Sequence, residues 1–233
     1  MLTKARFTSN HLYPTSDGKP MAETDRHCQL MFDLIEQLKR HFAGQTDTYV
    51  SGNLLLYYDP KDKRRHLSPD CMVIFGVPNQ ERINYLTWEE GKGPDVVFEL
   101  TSSSTRHEDT RRKFERYRDV LRVREYFLFD PYEDYLEPSM QGYRLRAGQY
   151  VHIQPKDGRL PSQLLGLHLE RDGSSLRLWN PATGDWVAKT AEREDAERQR
   201  ADAESARADA AEAELARLRA RLRPKANGNG AHP

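Results

Sequence analysis

The stretch Pro94-Asp95-Val96-Val97-Phe98-Glu99-Leu100-Thr101-Ser102 decides the fold. Val96-Val97-Phe98 is an unbroken apolar run rich in β-branched residues, and it reads as a central strand buried on both faces. Strand alternation puts Glu99 and Thr101 on one face and Val96, Phe98 and Leu100 on the other. A carboxylate at such a position is costly unless it is partnered. The partner is a metal ion, a basic side chain, or a proton retained through a raised pKa.

Working upstream, Tyr49 to Tyr58 and Cys71 to Val77 are β-rich runs that can pair as a hairpin across the charged turn Asp59 to His66. Pro69 lacks a backbone donor and suits the approach to a strand, so Asp70 sits where the second run enters the sheet. Its plainer reading is a turn cap. Before the hairpin, Leu30, Met31, Leu34, Ile35, Leu38 and Phe42 recur at steps of three and four, which predicts an amphipathic helix from Thr24, its N-cap, to Phe42, with Gly44 ending it.

Downstream, Ser104 or Thr105 can cap a helix from Arg106 to about Leu121. Glu125 to Phe129 is then an aromatic strand stopped by Asp130-Pro131. On the helix, Asp109, Lys113 and Tyr117 fall at i, i+4 and i+8, a polar stripe that can face back to the end of the Glu99 strand or else form an ordinary surface salt bridge. The core order is therefore β-β-β-α-β, an α/β fold. Short β-rich segments between Gly142 and Val187 are expected to extend or flank its sheet.

The 233 residues suffice for one such domain with an appendage, and 37% hydrophobic against 31% charged content says that part of the chain stays out of the core. Four regions follow. Residues 1–22 form an irregular N-terminal segment, 23–188 the domain, 189–223 an Ala/Glu/Arg-rich helix, and 224–233 a Gly- and Asn-rich disordered tail. Leu215, Leu218 and Leu222 follow heptad spacing, so the last turns could pair two chains weakly as a coiled-coil homodimer.

Cys28 and Cys71 fit no zinc or disulfide spacing and read as reduced thiols. Residues 1–10 carry no signal-like apolar run and no stretch of membrane-spanning length occurs, which predicts a cytoplasmic protein without a membrane partner. The formal net charge is zero, so attraction to a phosphate polymer must be local. Arg64 and Arg65 in the basic turn, and Arg111 and Arg112 in the helix, are the candidates for nucleic-acid backbone contacts. Solvated surface charge is the plainer account of both groups.

Taken together, Ser68-Pro69-Asp70, the Pro94 to Ser102 stretch, Asp109, Lys113 and Tyr117, and Glu125-Tyr126-Phe127-Leu128-Phe129-Asp130-Pro131 resemble the Uma2 family of endonucleases, also known as DUF820, within the PD-(D/E)xK superfamily. The resemblance runs roughly from Pro20 to Trp186. It implies a restriction-endonuclease-like core, a mixed β-sheet flanked by helices, here followed by a long C-terminal helix. It also implies a catalytic set of Asp70, Glu99 and a lysine, with Asp70 and Glu99 holding Mg²⁺ or Mn²⁺.

The position two after the second acid, where the superfamily's lysine would stand, is Thr101. Lys113 could reach the strand end from the helix and take that role. Auxiliary candidates are Thr101, Tyr117 and Ser102 near the phosphate, Glu23 as an additional acid, and His27 one turn further. Glu23 otherwise complements the helix dipole, and His27 is otherwise a packed histidine.

The expected function is metal-dependent hydrolysis of phosphodiester bonds, in DNA by preference with RNA equally compatible. One rival is a nucleic-acid-binding module that retains the fold and cleaves nothing. The other is a scaffold acting through the C-terminal helix. No pattern of base recognition is readable.

Overall fold

The computed structural model describes residues 13–16, 24–101 and 108–222. The chain divides into two units, 1–188 and 189–233. The expectations for Glu23, for Ser102, for the caps Ser104 and Thr105, for most of the N-terminal segment and for the tail lie outside the described residues.

The first unit opens with α1 (Asp25–His41), whose N-terminus is capped by Thr24 accepting from the His27 N–H. β1 (Thr48–Ser51), β2 (Leu56–Tyr57), β3 (His66–Leu67), β4 (Cys71–Phe75), β5 (Tyr85–Leu86), the short α2 (Thr87–Glu90) and β6 (Val96–Leu100) follow. Beyond β6 the helix is π-wound over Glu108–Lys113 and Arg116–Val120. β7 (Glu125–Phe129), β8 (Met140–Arg146) and β9 (Gln149–His152) complete the main sheet, in the order β1-β4-β6-β7-β8-β9.

β6 and β7 are parallel and central, joined by the crossover that carries the helix, and the remaining pairs are antiparallel. All five residues of β6 and of β7 are buried, as their apolar runs predict. On one face, Leu30, Leu34, Leu38 and Phe42 of α1 pack against Val73, Val96, Phe98 and Phe127. At roughly 1.5–3 kcal/mol per buried large side chain, this interface is what holds α1 on the sheet. On the other face, Tyr117 packs with Met72, Ile74, Val97, Tyr126 and Leu128.

The structure departs from the sequence reading in two places and resolves an alternative in a third. The run Tyr49 to Tyr58 is not one strand. It breaks after Ser51, where Asn53 takes a positive φ of 50°, and β2 leaves to build a small sheet with β3 and β5. Of the two courses open to the later β-rich segments, β8 and β9 extend the main sheet, while β10 (Leu160–Ser162), β11 (Leu167–Asp172), β12 (Ser175–Asn180) and β13 (Asp185–Trp186) form a second, antiparallel sheet. Its inward residues Leu167, Leu169, Leu176 and Leu178 join the α1 core, so the burial demand of α1 recruits a second layer. The helix after β6 is π-wound over most of its described length, where its four-residue spacing predicts ordinary α-helical turns.

The described part of the second unit is the helix α3 (Thr190–Leu222), exposed along its described side chains. Ala, Glu and Arg dominate it and sustain it by propensity. Leu215 and Leu218 are exposed on it. No helix among the described residues is long and apolar enough to cross a membrane.

Candidate active site

Glu99 has a fully buried side chain, and its two oxygens are engaged separately. Lys113 Nζ donates to Oε2 at 2.7 Å and Tyr117 Oη donates to Oε1 at 2.6 Å. Of the partners open to Glu99 from sequence, the described residues thus supply a basic side chain together with a phenol. Tyr117 is wholly buried, and burial first, then the charge of Glu99, pushes its pKa well up, so it remains a proton donor to the carboxylate.

Lys113 and Tyr117 sit on the π-wound helix, with the i to i+5 bond from the Leu121 N–H to the Arg116 carbonyl at 3.0 Å near its end. The wide turn keeps residues four apart on one side, so both donors descend onto the same carboxylate. Such windings are rare and recur at functional positions.

Asp70 immediately precedes β4. The antiparallel register pairs Cys71 with Phe98, and continuing it by one position sets Asp70 opposite Glu99. Directly opposed residues share a face, with Cβ atoms roughly 4.5–5.5 Å apart. Asp70 Oδ2 accepts from the Leu100 N–H at 2.7 Å, and Oδ1 lies 3.2 Å from His27 Nε2 on the first turn of α1. On its other side the Asp70 backbone is closed on by the chain just after β1, which only glycine at 52 allows, because a Cβ there would lie 1.9 Å from the Asp70 carbonyl oxygen.

Thr101 is buried, and its hydroxyl has no hydrogen-bond partner among the described residues. Two contact groups, Glu99 with Lys113 and Tyr117, and Asp70 with His27 and the Leu100 N–H, therefore lie side by side where β4 begins and β6 ends, with Thr101 two residues beyond Glu99. Arg111 and Arg112 are exposed on the helix that carries Lys113. Arg64 and Arg65 are on the β2 to β3 turn, where Arg64 pairs with Asp62 and Arg65 with Asp59. Those contacts offset much of the turn's positive charge.

The sequence did not separate these acids from the other buried ones. Glu125 is held by Arg144 and by Ser162 Oγ and the Gln163 N–H. Asp130 accepts from the Tyr132, Tyr135 and Leu136 N–H groups. Asp95 takes Lys92 and the Phe75 N–H. Each staples a loop and is satisfied chiefly by its own neighbourhood. Sequence reading also missed Gly52 and the Leu100 N–H, although Gly52-Asn53 carried a signal as a turn pair inside a β-rich run.

Hard divalent cations take carboxylate, hydroxyl and water oxygens, and the Asp70, Glu99 and Thr101 oxygens are of that kind. A carboxylate has about four acceptor sites, more than the two hydrogen bonds that each acid accepts from the described residues. Among the described residues no group of three His, Cys, Asp or Glu gathers to hold a metal, so water and substrate oxygens would complete the shell of an ion bound here.

The family model Uma2, described as "Putative restriction endonuclease", matches residues 9–174. No curated protein matches the chain. A solved structure described as a putative nuclease belonging to DUF820, from Anabaena variabilis ATCC 29413, is 16% identical, with a TM-score of 0.47 over 67% of this chain and 85% of that one.

Proposed function

The chain belongs to the Uma2 family, and on that premise we propose that it is an endonuclease that hydrolyses phosphodiester bonds in DNA, with Mg²⁺ or Mn²⁺ held by Asp70 and Glu99. The observation that carries this reading is the buried Glu99 carboxylate, opposite Asp70 in strand register and directly bonded by Lys113. A bound divalent ion supplies Lewis-acid polarisation of the phosphate and a more acidic water.

The protein's own groups divide the remaining work. Tyr117 fixes Glu99 by donating to Oε1, and the Leu100 N–H fixes Asp70 through Oδ2. Lys113, released from Oε2 by approach of the substrate, neutralises charge that develops on the phosphate oxygens as water adds and the P–O bond breaks. His27 holds Asp70 Oδ1 from the side. Arg111 and Arg112 hold the backbone, which positions the strand without reading its sequence.

The test is cleavage of a circular single-stranded DNA and of supercoiled plasmid by the purified full-length chain in Mg²⁺ or Mn²⁺, compared with EDTA. Asp70→Ala and Glu99→Gln should each abolish cleavage. Full activity in both variants, or cleavage in EDTA, would overturn the reading. The binding-module alternative is favoured by one observation, that both Glu99 oxygens are already bonded within the chain as those of a structural acid would be. It predicts nucleic-acid binding by the wild type with no cleavage in any metal.

A further inference from the structure

The sheet face that carries Glu99 continues beyond the helix onto the outer strands. The register sets Val97 opposite Tyr126, Tyr126 opposite Tyr143, and Tyr143 opposite His152 on the edge strand β9. This row lies two residues along the strands from Glu99 and on the same face. At about 4.8 Å between strands and 3.3 Å per residue, the Tyr143 backbone is about 12 Å from that of Glu99, within reach of a few nucleotides.

Tyr126 is buried, Tyr143 half-buried and His152 exposed, so the row rises from core to solvent. The Tyr143 and His152 ring centroids are 4.5 Å apart. Phe114, next to Lys113 on the helix, stands edge-on to Tyr143 at 5.0 Å and walls the row on the side of the site. Tyr143 Oη donates to Gln141, which orients its ring. On the helix Lys113 and Arg118 are paired with Glu99 and Asp119, and Arg111, Arg112 and Arg116 are exposed beside Glu115, a modest positive border for a phosphate backbone.

We propose that the exposed His152 ring, backed by Tyr143, forms a stacking platform for an unpaired base, and that the substrate of the Asp70 and Glu99 site is single-stranded nucleic acid. This rests on the nuclease reading above. In a duplex each base face is already covered by its neighbours, whereas a splayed base can lie on an exposed aromatic ring beside a basic border. Stacking of this kind tolerates any base, which agrees with a chain that shows no pattern of base readout.

The experiment is fluorescence anisotropy of the full-length protein with a short labelled oligonucleotide, single-stranded or annealed to its complement, in EDTA so that neither is cut. His152→Ala is on an exposed edge strand, and its melting temperature is checked against wild type. It should weaken single-strand binding by about tenfold and leave duplex binding unchanged, while His152→Tyr should restore it. Unchanged single-strand binding in His152→Ala, an equal loss on both ligands, or no rescue by His152→Tyr would overturn the platform while leaving a plasmid-cleaving site intact. Wild-type protein that binds neither ligand and cuts no plasmid would overturn the nuclease reading, and this proposal with it.

Discussion

Lys113 Nζ lies 2.7 Å from Glu99 Oε2, which brings a helix-borne ammonium to a carboxylate at the end of a central strand. Thr101, two residues after that acid, carries no charge, so the cation beside Glu99 comes from the crossover instead of from the strand. Both members are sheltered, with side-chain exposures of 13% for Lys113 and zero for Glu99.

Removing one charge of such a pair strands the other. Lys113→Met should destabilise the domain by about 3 kcal/mol, because Glu99 keeps its charge in a buried place. Glu99→Gln in the same molecule should recover much of that loss, since a neutral amide can still accept from Tyr117. Urea unfolding of the two single variants and the double variant measures the coupling. Simply additive costs would mean that the ion pair contributes nothing.

Gly52→Ala should destabilise the domain by about 3 kcal/mol, since the new methyl meets the Asp70 backbone at 1.9 Å as well as the Ile35 side chain, and the backbone cannot turn aside. Displacing Asp70 should also depress metal-dependent cleavage. A thermal melt together with the plasmid assay checks both effects. An unaltered melt would show that the strand ends can separate freely.

Alkaline pH should unfold the first unit through its buried tyrosines. Burial raises the pKa of Tyr117, Tyr85 and Tyr150 in the folded state above the usual value near 10. Above that pH the unfolded chain loses these protons while the folded chain retains them, so stability is intact below about pH 10 and falls as pH rises further. Phenolate absorbance should then rise together with loss of circular dichroism. A full phenolate signal from a still-folded protein would contradict this.

Divalent cations should stabilise the folded chain by about 2.7 kcal/mol at a hundred times their dissociation constant. Terbium luminescence and thermal melts with Mg²⁺ or Mn²⁺ should both respond in the wild type. Glu99→Gln and Asp70→Ala should lose the response. An equal response in all three proteins would place the ion elsewhere.

Much of the core was legible because it depends on short-range patterns. The apolar runs of β6 and β7, the three- and four-residue period of α1 and the Ala/Glu/Arg composition of α3 each fix a local structure whatever lies around them. The same logic pointed to Glu99, since a carboxylate inside a buried run requires a partner. It could not rank Glu99 against Glu125 or Asp130, which are buried acids satisfied mainly by Arg144 and by loop N–H groups.

The sequence by itself determined the central strand, the acid at its end, the crossover helix with Lys113 and Tyr117 four residues apart, and the appended α3. Only the tertiary structure decided which partners those residues take. Strand register set Asp70 against Glu99, Gly52 let the chain after β1 close on the Asp70 backbone, and a widened helix turn lowered two donors onto one carboxylate. It also split β2 from β1 and folded the later strands into a second sheet. These choices depend on contacts between residues far apart in the chain, whose energies come from burying α1 and from satisfying buried polar groups, and no local window of sequence contains them.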